Sequence, residues 1–436
     1  MLAAPAAATA APEAILVITG DQHSAYERTA QFVALVDRLR AENPGVPLAV
    51  LIDGDTFEFG NVAARRSAGA VEFAMFAALA GRVPTVLNLG NHEPEFYDLA
   101  DTVARVQATG VTVIGNAVDR ATGKAFAPAM ARLKLGGLEL AVVGVTTDRL
   151  ATYRAAVRPS LDLADPAVWA RAHFPALLAD EPLPVVLSHA GLKADRAMLA
   201  LVPDGTLFAG AHDHLRFVHR EGRTVYFHSG CWNEAASVAR LGRDADGPRW
   251  DVEPVLLDAA APGDPRLAET IRQTLEKTLT PEDRAIVGRT ARALAPGEAA
   301  RFVVEAVRAA TGADAAVIGA TTFGSGLPAG GVSRFAFDAC VRFDGTLCVG
   351  EIDGAALRRL LAGANQGPDT PFAERRGENL IFVAPKDVVP GKRYRIATND
   401  WAAKNAAAYF GGDAPVWQER PELKLKAVVT DALQRP

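Results

Sequence analysis

The chain of 436 residues holds only eight histidines, and five of them stand directly behind short apolar runs. These are His23, His92, His189, His212 and His214, and Asp21, Asp55 and Asn91 occupy the same kind of position. One histidine at the end of a strand is usually a hydrogen-bonded structural residue. Five of them, with two carboxylates and an amide, point to a metal centre. Mixed imidazole and carboxylate donors suit Zn, Mn, Fe, Co or Ni rather than Ca or Mg. Asp21 and His23 lie two residues apart, so on extended chain they face one side and can hold one ion together. His212 and His214 repeat that spacing. A single carboxylate such as Asp55 can bridge two ions about 3.5–4 Å apart, a geometry that makes hydroxide near neutral pH and clamps the oxygens of an in-line displacement at phosphorus.

For these groups to meet, the strands behind them must end at one edge, because open α/β sheets bind ligands outside their strands' carboxyl ends. Apolar runs predict strands over 14–19, 48–52, 85–87 and 111–115, separated by helices over 26–41, 62–80 and 100–108. That alternation implies a parallel sheet covered by helices. A hairpin over 133–145 turning at Gly136-Gly137, a helix over 167–178 and strands over 184–187, 207–210, 217–220, 224–228 and 252–257 complete the first half. Residues 258–265, rich in Ala, Pro, Gly and Asp, read as a boundary. A helical, charged stretch over 267–294 with a break at Thr280-Pro281 reads as a connector. Beyond it an α+β pattern begins: a helix over 299–310, strands over 315–318, around Val341, over 347–352 and 394–397, and a polar loop over 367–377.

The length favours two domains over one core. The net charge of -5 gives no basic footprint for nucleic acid, and no apolar run is long enough to span a membrane. Any phosphate-bearing substrate must therefore be held by local cations. Of three cysteines, Cys340 and Cys348 either pair or stand as two buried thiols. The first residues are almost all Ala and Pro and lack a basic segment; they suit the remnant of an export signal, hence a periplasmic or secreted protein.

The motifs Asp21-Gln22-His23, Gly54-Asp55, Gly90-Asn91-His92-Glu93, Ser188-His189 and Gly210-Ala211-His212-Asp213-His214 together resemble the calcineurin-like metallophosphoesterases. Further stretches extend the resemblance to the 5'-nucleotidase family: 311–314, Leu327-Pro328-Ala329-Gly330, Arg342-Phe343-Asp344, 352–355 and 394–400. The resemblance implies an N-terminal four-layer αββα sandwich over 14–258, a linker over 259–296, and an α+β substrate domain over 297–436. It implies two divalent metals. Asp21, His23 and His214 hold one, Asn91, His189 and His212 hold the other, and Asp55 bridges. His92 becomes the catalytic histidine. The family pairs it with an aspartate three residues on, where this chain has Glu95; Glu93 is left to support the ligands from behind. The family's domains rotate about the linking segment.

The family's C-terminal domain stacks a base between two aromatic rings, which implies Phe343 and Trp401 here, with Asp413 of Gly411-Gly412-Asp413 at the ribose. Two positions depart from the pattern: Gly324 replaces an arginine and Gly345 an asparagine. Losing a guanidinium removes the strongest side-chain clamp on phosphate; Arg301, Arg334 and Arg342 are the candidates to replace it. The expected activity is that of a 5'-nucleotidase acting on a small phosphate ester. The alternatives are a 2',3'-cyclic nucleotide phosphodiesterase/3'-nucleotidase, a UDP-sugar hydrolase, or a catalytically silent metal-binding protein. His173, His219 and His228 fall outside the motifs and read as structural.

Overall fold

The computed structural model describes residues 11–364, 370–376 and 379–435. Most of the leader therefore lies outside the described residues, as do Gly367 and Gly377 of the expected polar loop. In chain order the elements begin β1 (Ala14–Gly20), α1 (Tyr26–Glu42), β2 (Leu48–Asp53), α2 (Val62–Ser67), α3 (Ala70–Ala80), β3 (Thr85–Asn88), α4 (Leu99–Ala108) and β4 (Thr112–Ile114). Next come β5 (Val118–Asp119), β6 (Met130–Leu135), β7 (Leu138–Thr146), β8 (Leu161–Asp162), α5 (Pro166–Leu178), β9 (Pro184–His189) and α6 (Leu192–Leu199). Five strands follow: β10 (Leu207–Gly210), β11 (Arg216–Glu221), β12 (Thr224–Ser229), β13 (Ala235–Asp244) and β14 (Gly247–Leu256).

The strands form two six-stranded sheets, ordered β14-β13-β1-β2-β3-β4 and β11-β12-β10-β9-β7-β6. β1 to β4 are parallel neighbours, and β7, β9, β10 and β12 are parallel in the second sheet. β1 and β2 are buried along their whole length. Unbroken aliphatic runs suit strands covered on both faces. Leu16, Ile18 and Leu51 of the first sheet share one core with Val142, Val185 and Leu187 of the second, so the two sheets pack face to face. Helices complete the four-layer αββα sandwich; α1 buries Phe32, Val33, Val36 and Leu39.

One side chain ties the sheets together near the edge where the site forms. Asn88 Nδ2, at the end of β3, donates to Asp53 Oδ1 at 2.8 Å, to the Val145 carbonyl at 2.9 Å and to the Leu187 carbonyl at 3.2 Å. Gly144 leaves it room, because a Cβ there would meet Asn88 Oδ1 and come within 2.8 Å of Ile114 Cγ1.

Contacts divide the chain into two compact units, the first closing at Ile271 within the helix α7 (Pro265–Thr278) and the second running from Arg272, with Glu58–Ala70 and Asp213–Leu215 grouped with the second. The second half continues with α8 (Pro281–Arg284), β15 (Ile286–Thr290), α9 (Pro296–Thr311), β16 (Ala315–Gly319), β17 (Gly330–Ser333), α10 (Arg334–Cys340) and β18 (Thr346–Asp353). It ends with α11 (Gly354–Ala362), β19 (Leu380–Val383), β20 (Arg393–Asn399), α12 (Asp400–Lys404), α13 (Ala406–Phe410), β21 (Gln418–Lys424) and α14 (Leu425–Gln434). Its five-stranded sheet runs β19-β16-β20-β18-β21. α9 and α14 bury Val303, Val307, Val429 and Leu433 in its main core.

Several local expectations are corrected. The helix expected over 62–80 is two, because Ala68 closes α2 in the left-handed region at φ 51° and Gly69 follows at 80°. The helical stretch expected over 267–294 stops at Arg284; Ile286–Thr290 pairs antiparallel with β17, and Val287 enters the core there. Val341 lies beyond α10 and makes only an isolated bridge to Phe323. β13 was not expected, since its small residues Ala235 to Ala239 show no alternation; they are buried on both faces between β1 and β14. Cys340 and Cys348 are free buried thiols.

Asn88→Ala strands Asp53 and two buried carbonyls without their shared donor. It should cost about 1–3 kcal/mol of unfolding free energy in urea titrations. A second expectation concerns Glu72, buried in the first turn of α3 with Tyr26 OH 3.3 Å from its Oε2. Burial pushes its carboxyl from 4.5 up to about 7, against the hydrogen bonds from Ser24 and Tyr26. The folded state then holds this proton across a pH range in which the unfolded state has released it, so stability falls as pH rises from about 4.5 through about 7. Glu72→Gln should flatten that part of a melting-temperature profile and be the more stable protein above pH 7.

Candidate metal centre

The polar groups sit on loops at the carboxyl ends of five parallel strands. Behind β1 and β2 the two loops run side by side: the amides of Asp21, His23 and Ser24 donate to the carbonyls of Gly54, Asp55 and Thr56 at 3.0, 2.9 and 2.9 Å. In the second sheet the Ala211 amide bonds the Ser188 carbonyl at 2.9 Å and so sets the loop behind β10 beside that of β9. Asp21 and His23 were expected on extended chain. Both are left-handed instead, at φ 49° and 47°, as are Ser24, Asp55, His212 and His214. Residues with a Cβ adopt this region rarely, and strain of this kind gathers at functional sites.

Two glycines allow the loops to close up. A Cβ on Gly54 would lie 2.6 Å from His189 Nδ1, and one on Gly90 would meet the Asp55 carboxylate and lie 2.9 Å from Glu93 Oε2. Glu93 then gathers the loops from behind, accepting the amides of Asp55, Thr56 and Gly90 at 3.0, 2.9 and 2.6 Å.

Three overlapping sets of donor atoms result, each within 4.8 Å: Asp21, His23 and His214; Asp55, His189 and His212; and His23, Asp55 and His92. His189 Nε2 lies 3.0 Å from Asp55 Oδ2 and 3.8 Å from Asp21 Oδ1. Its Nδ1 is 2.7 Å from the Asp53 carbonyl, which fixes Nδ1–H as donor and turns Nε2 to the site. Asn91 is buried beside the Thr152 carbonyl, and its Oδ1 has no hydrogen-bond partner. Asp55 is buried, which works against its charge, yet His189, His92 and His23 hold its carboxyl well below the usual range. Burial likewise opposes the charge on His189, and Asp55 and Asp21 drive its imidazole well above the usual value. Converging carboxylates and imidazoles, with an amide oxygen left bare, fit divalent cations.

His92 stands at the rim. Its Nδ1 lies 2.7 Å from Glu95 Oε1, within the short turn Glu93–Glu95, and its Nε2 is 4.0 Å from Asp55 Oδ2. Burial lowers its pKa, but Asp55 and Glu95 outweigh it and bring the imidazole up to about 9.

The residues expected at the substrate lie in the second unit. Phe343 and Trp401 are 47% and 48% exposed; β18 begins just after one, β20 ends just before the other, and Leu347 pairs with Asn399 between them. Asp413 is engaged by Arg359 of α11 at 2.7 and 2.9 Å. Gly324 is buried, with its amide on the Cys340 carbonyl. Of the candidate replacements for the absent guanidinium, Arg342 is buried against Glu58, Arg334 lies over the Phe337 ring and Arg301 is exposed.

Two groups at the site are not evident in the residue pattern. Trp232 and Asn233 follow β12, a sixth parallel strand reaching the same edge, whose His228 precedes the turn and falls outside the motifs. His228, expected to be structural, joins a buried network in which Asp195 takes hydrogen bonds from Ser188 at 2.5 Å and Tyr226 at 2.8 Å, with His228 Nε2 2.7 Å from Tyr226 OH.

Residues 15–216 match the calcineurin-like phosphoesterase family, and residues 278–411 match the 5'-nucleotidase C-terminal domain. No curated protein matches the chain. Among solved structures the fold is similar to a 5'-nucleotidase precursor from Thermus thermophilus, at 18% identity and a TM-score of 0.61 over 97% of this chain and 96% of that one. It is also similar to the sulfate thiohydrolase SoxB of Thermus thermophilus (16%, TM-score 0.65, 98% and 96% covered) and to a 5'-nucleotidase from Candida albicans (12%, 0.61, 98% of each). Identities this low carry the fold alone. With both halves matched in order, the chain belongs to the calcineurin-like phosphoesterases that carry a 5'-nucleotidase C-terminal domain, hydrolases of phosphate esters that use divalent metal ions.

Proposed function

We propose that this protein is a two-metal phosphohydrolase that releases phosphate from nucleoside 5'-monophosphates. The observation that carries the reading is the pair of donor sets that a third set, His23, Asp55 and His92, links. Asp21, His23 and His214 form one set, and Asp55, His189 and His212 another, with Asn91 Oδ1 bare beside them. Divalent ions bound there supply Lewis acidity that activates water and neutralises charge at phosphorus.

The chain's own groups do the rest. Glu95 Oε1, close beside His92 Nδ1, orients the ring, so that Nε2–H is presented to a phosphoryl or leaving-group oxygen. A glutamate stands where the family has an aspartate, at the end of the tight turn Glu93–Glu95. The exposed rings of Phe343 and Trp401 are suited to stack a base.

The glycines at 324 and 345 favour a second reading on the same chemistry, with a leaving group other than a plain nucleoside. A 2',3'-cyclic nucleotide or a nucleotide sugar is the candidate. A Cβ at 345 would meet the tip of the Asp400 side chain.

Two measurements test these assignments. His92→Ala should lower turnover about 10²–10⁴-fold while metal content, measured by elemental analysis, stays the same. Loss of metal instead would make His92 a ligand, as its place in the set with His23 and Asp55 allows. Trp401→Ala should weaken binding of AMP by about 1–3 kcal/mol, read as KM, and leave p-nitrophenyl phosphate unaffected. In a panel of AMP, 2',3'-cyclic AMP, UDP-glucose and p-nitrophenyl phosphate on Mn-loaded enzyme, AMP should be fastest. Faster turnover of either of the next two selects the second reading, and a flat response, equal to a chelated control, removes the enzymatic assignment.

A further inference from the structure

The turn behind β12, residues 230–233, is built against the first set of donors although it supplies none of them. Trp232 and Asn233 are both left-handed, at φ 56° and 49°. Asparagine tolerates that region; for a bulky side chain it is an outlier. Backbone strain persists only where the surroundings over-determine it. Here they do. The Trp232 amide donates to the Asp21 carbonyl at 2.7 Å. Gln22 Nε2 donates to Asn233 Oδ1 at 3.0 Å, and Asn233 Nδ2 reaches Thr29 Oγ1 at 3.5 Å. The indole of Trp232, 3% exposed, stacks on the His23 ring with centroids 5.4 Å apart and 30° between planes. His23 in turn meets His92 edge-on at 4.8 Å. The turn therefore grips three consecutive residues: Asp21 by its backbone, Gln22 by its side chain and His23 by its ring.

Each donor set has a group packed behind it. His189 is oriented by a hydrogen bond from its far nitrogen to the Asp53 carbonyl. His23 is oriented by a flat aromatic face. Groups that orient a ligand from behind usually matter about 10–100-fold in metal affinity.

We propose that Trp232 is a positioning residue for the metal site formed by Asp21 and His23, and that the 230–233 turn sets the affinity of that site independently of the site at Asn91, His189 and His212. The inference rests on the two-ion reading above. It gives Trp232 a spectroscopic role as well, because an indole stacked on a ligand lies within quenching range of a paramagnetic ion.

The test uses the full chain, stripped by chelation and titrated with Mn²⁺ in a calorimeter, then with Co²⁺ while tryptophan fluorescence is followed. Wild type should show two binding events. Trp232→Ala should weaken one by about 10–100-fold and leave the other unchanged, and Trp232→Phe, which keeps a flat ring, should restore most of the loss. A residue that merely stabilises the fold would lower the melting temperature without separating the two events. Should Trp232→Ala fail to fold, Trp232→Phe decides by fluorescence: Co²⁺ should quench wild type and lose most of that effect in the variant. Equal quenching in both, or two events of wild-type affinity in Trp232→Ala, overturns the proposal. Wild type that takes up no Mn²⁺ overturns the two-ion reading itself, and this inference with it.

Discussion

A buried carboxylate surrounded by imidazoles is the constraint around which the first unit is arranged. Asp55 is almost wholly removed from water, and charge in that position is costly unless it is paired or bound to metal. His23, His92 and His189 supply the pairing from the ends of three different strands. None of those strands could deliver its histidine if its neighbours ended elsewhere. The parallel direction of β1, β2, β3, β9 and β10 is thus a requirement of the site as well as a consequence of the βα alternation. Asn88 holds the two sheets in step one residue beyond β3's last hydrophobic side chain, where a slip would separate Asp53 from Leu187.

The same constraint explains where backbone strain is tolerated. Of the non-glycine left-handed residues among those described, Ala68 alone is away from the site, ending a helix; the others belong to the ligand loops and the turn at Trp232. Each such residue is unfavourable by itself. Side-by-side amide–carbonyl bonds, the Glu93 carboxylate collecting three amides, and glycines at 54 and 90 offset that cost. A metal site whose loops are held in this way spends less affinity on ordering them.

The meeting of the polar loops was legible because polar residues interrupt strong apolar runs, and a parallel βα alternation forces such interruptions to one edge. The family resemblance rests on those same loops. What escaped has local physical causes. β13 is small and buried on both faces, so it carries neither alternation nor a β-branched run. Helix α2 ends at an alanine in a glycine-like conformation, which no residue type announces. The helical reading of 267–294 ran into β15 because Ile286 and Val287 suit either period, and only the partner strand β17 decides between them. Trp232 escaped because its contribution is a ring face and a dihedral angle, and neither is a donor type that spacing can reveal.

The second unit pairs many of its polar groups internally. Phe343 and Trp401 expose their rings shortly before β18 and just after β20, strands that pair at Leu347 and Asn399. Around them, however, the polar groups are already committed. Asp413 is satisfied by Arg359, Arg342 is buried on Glu58, and the Asp400 carboxylate fills the space that a side chain at 345 would need.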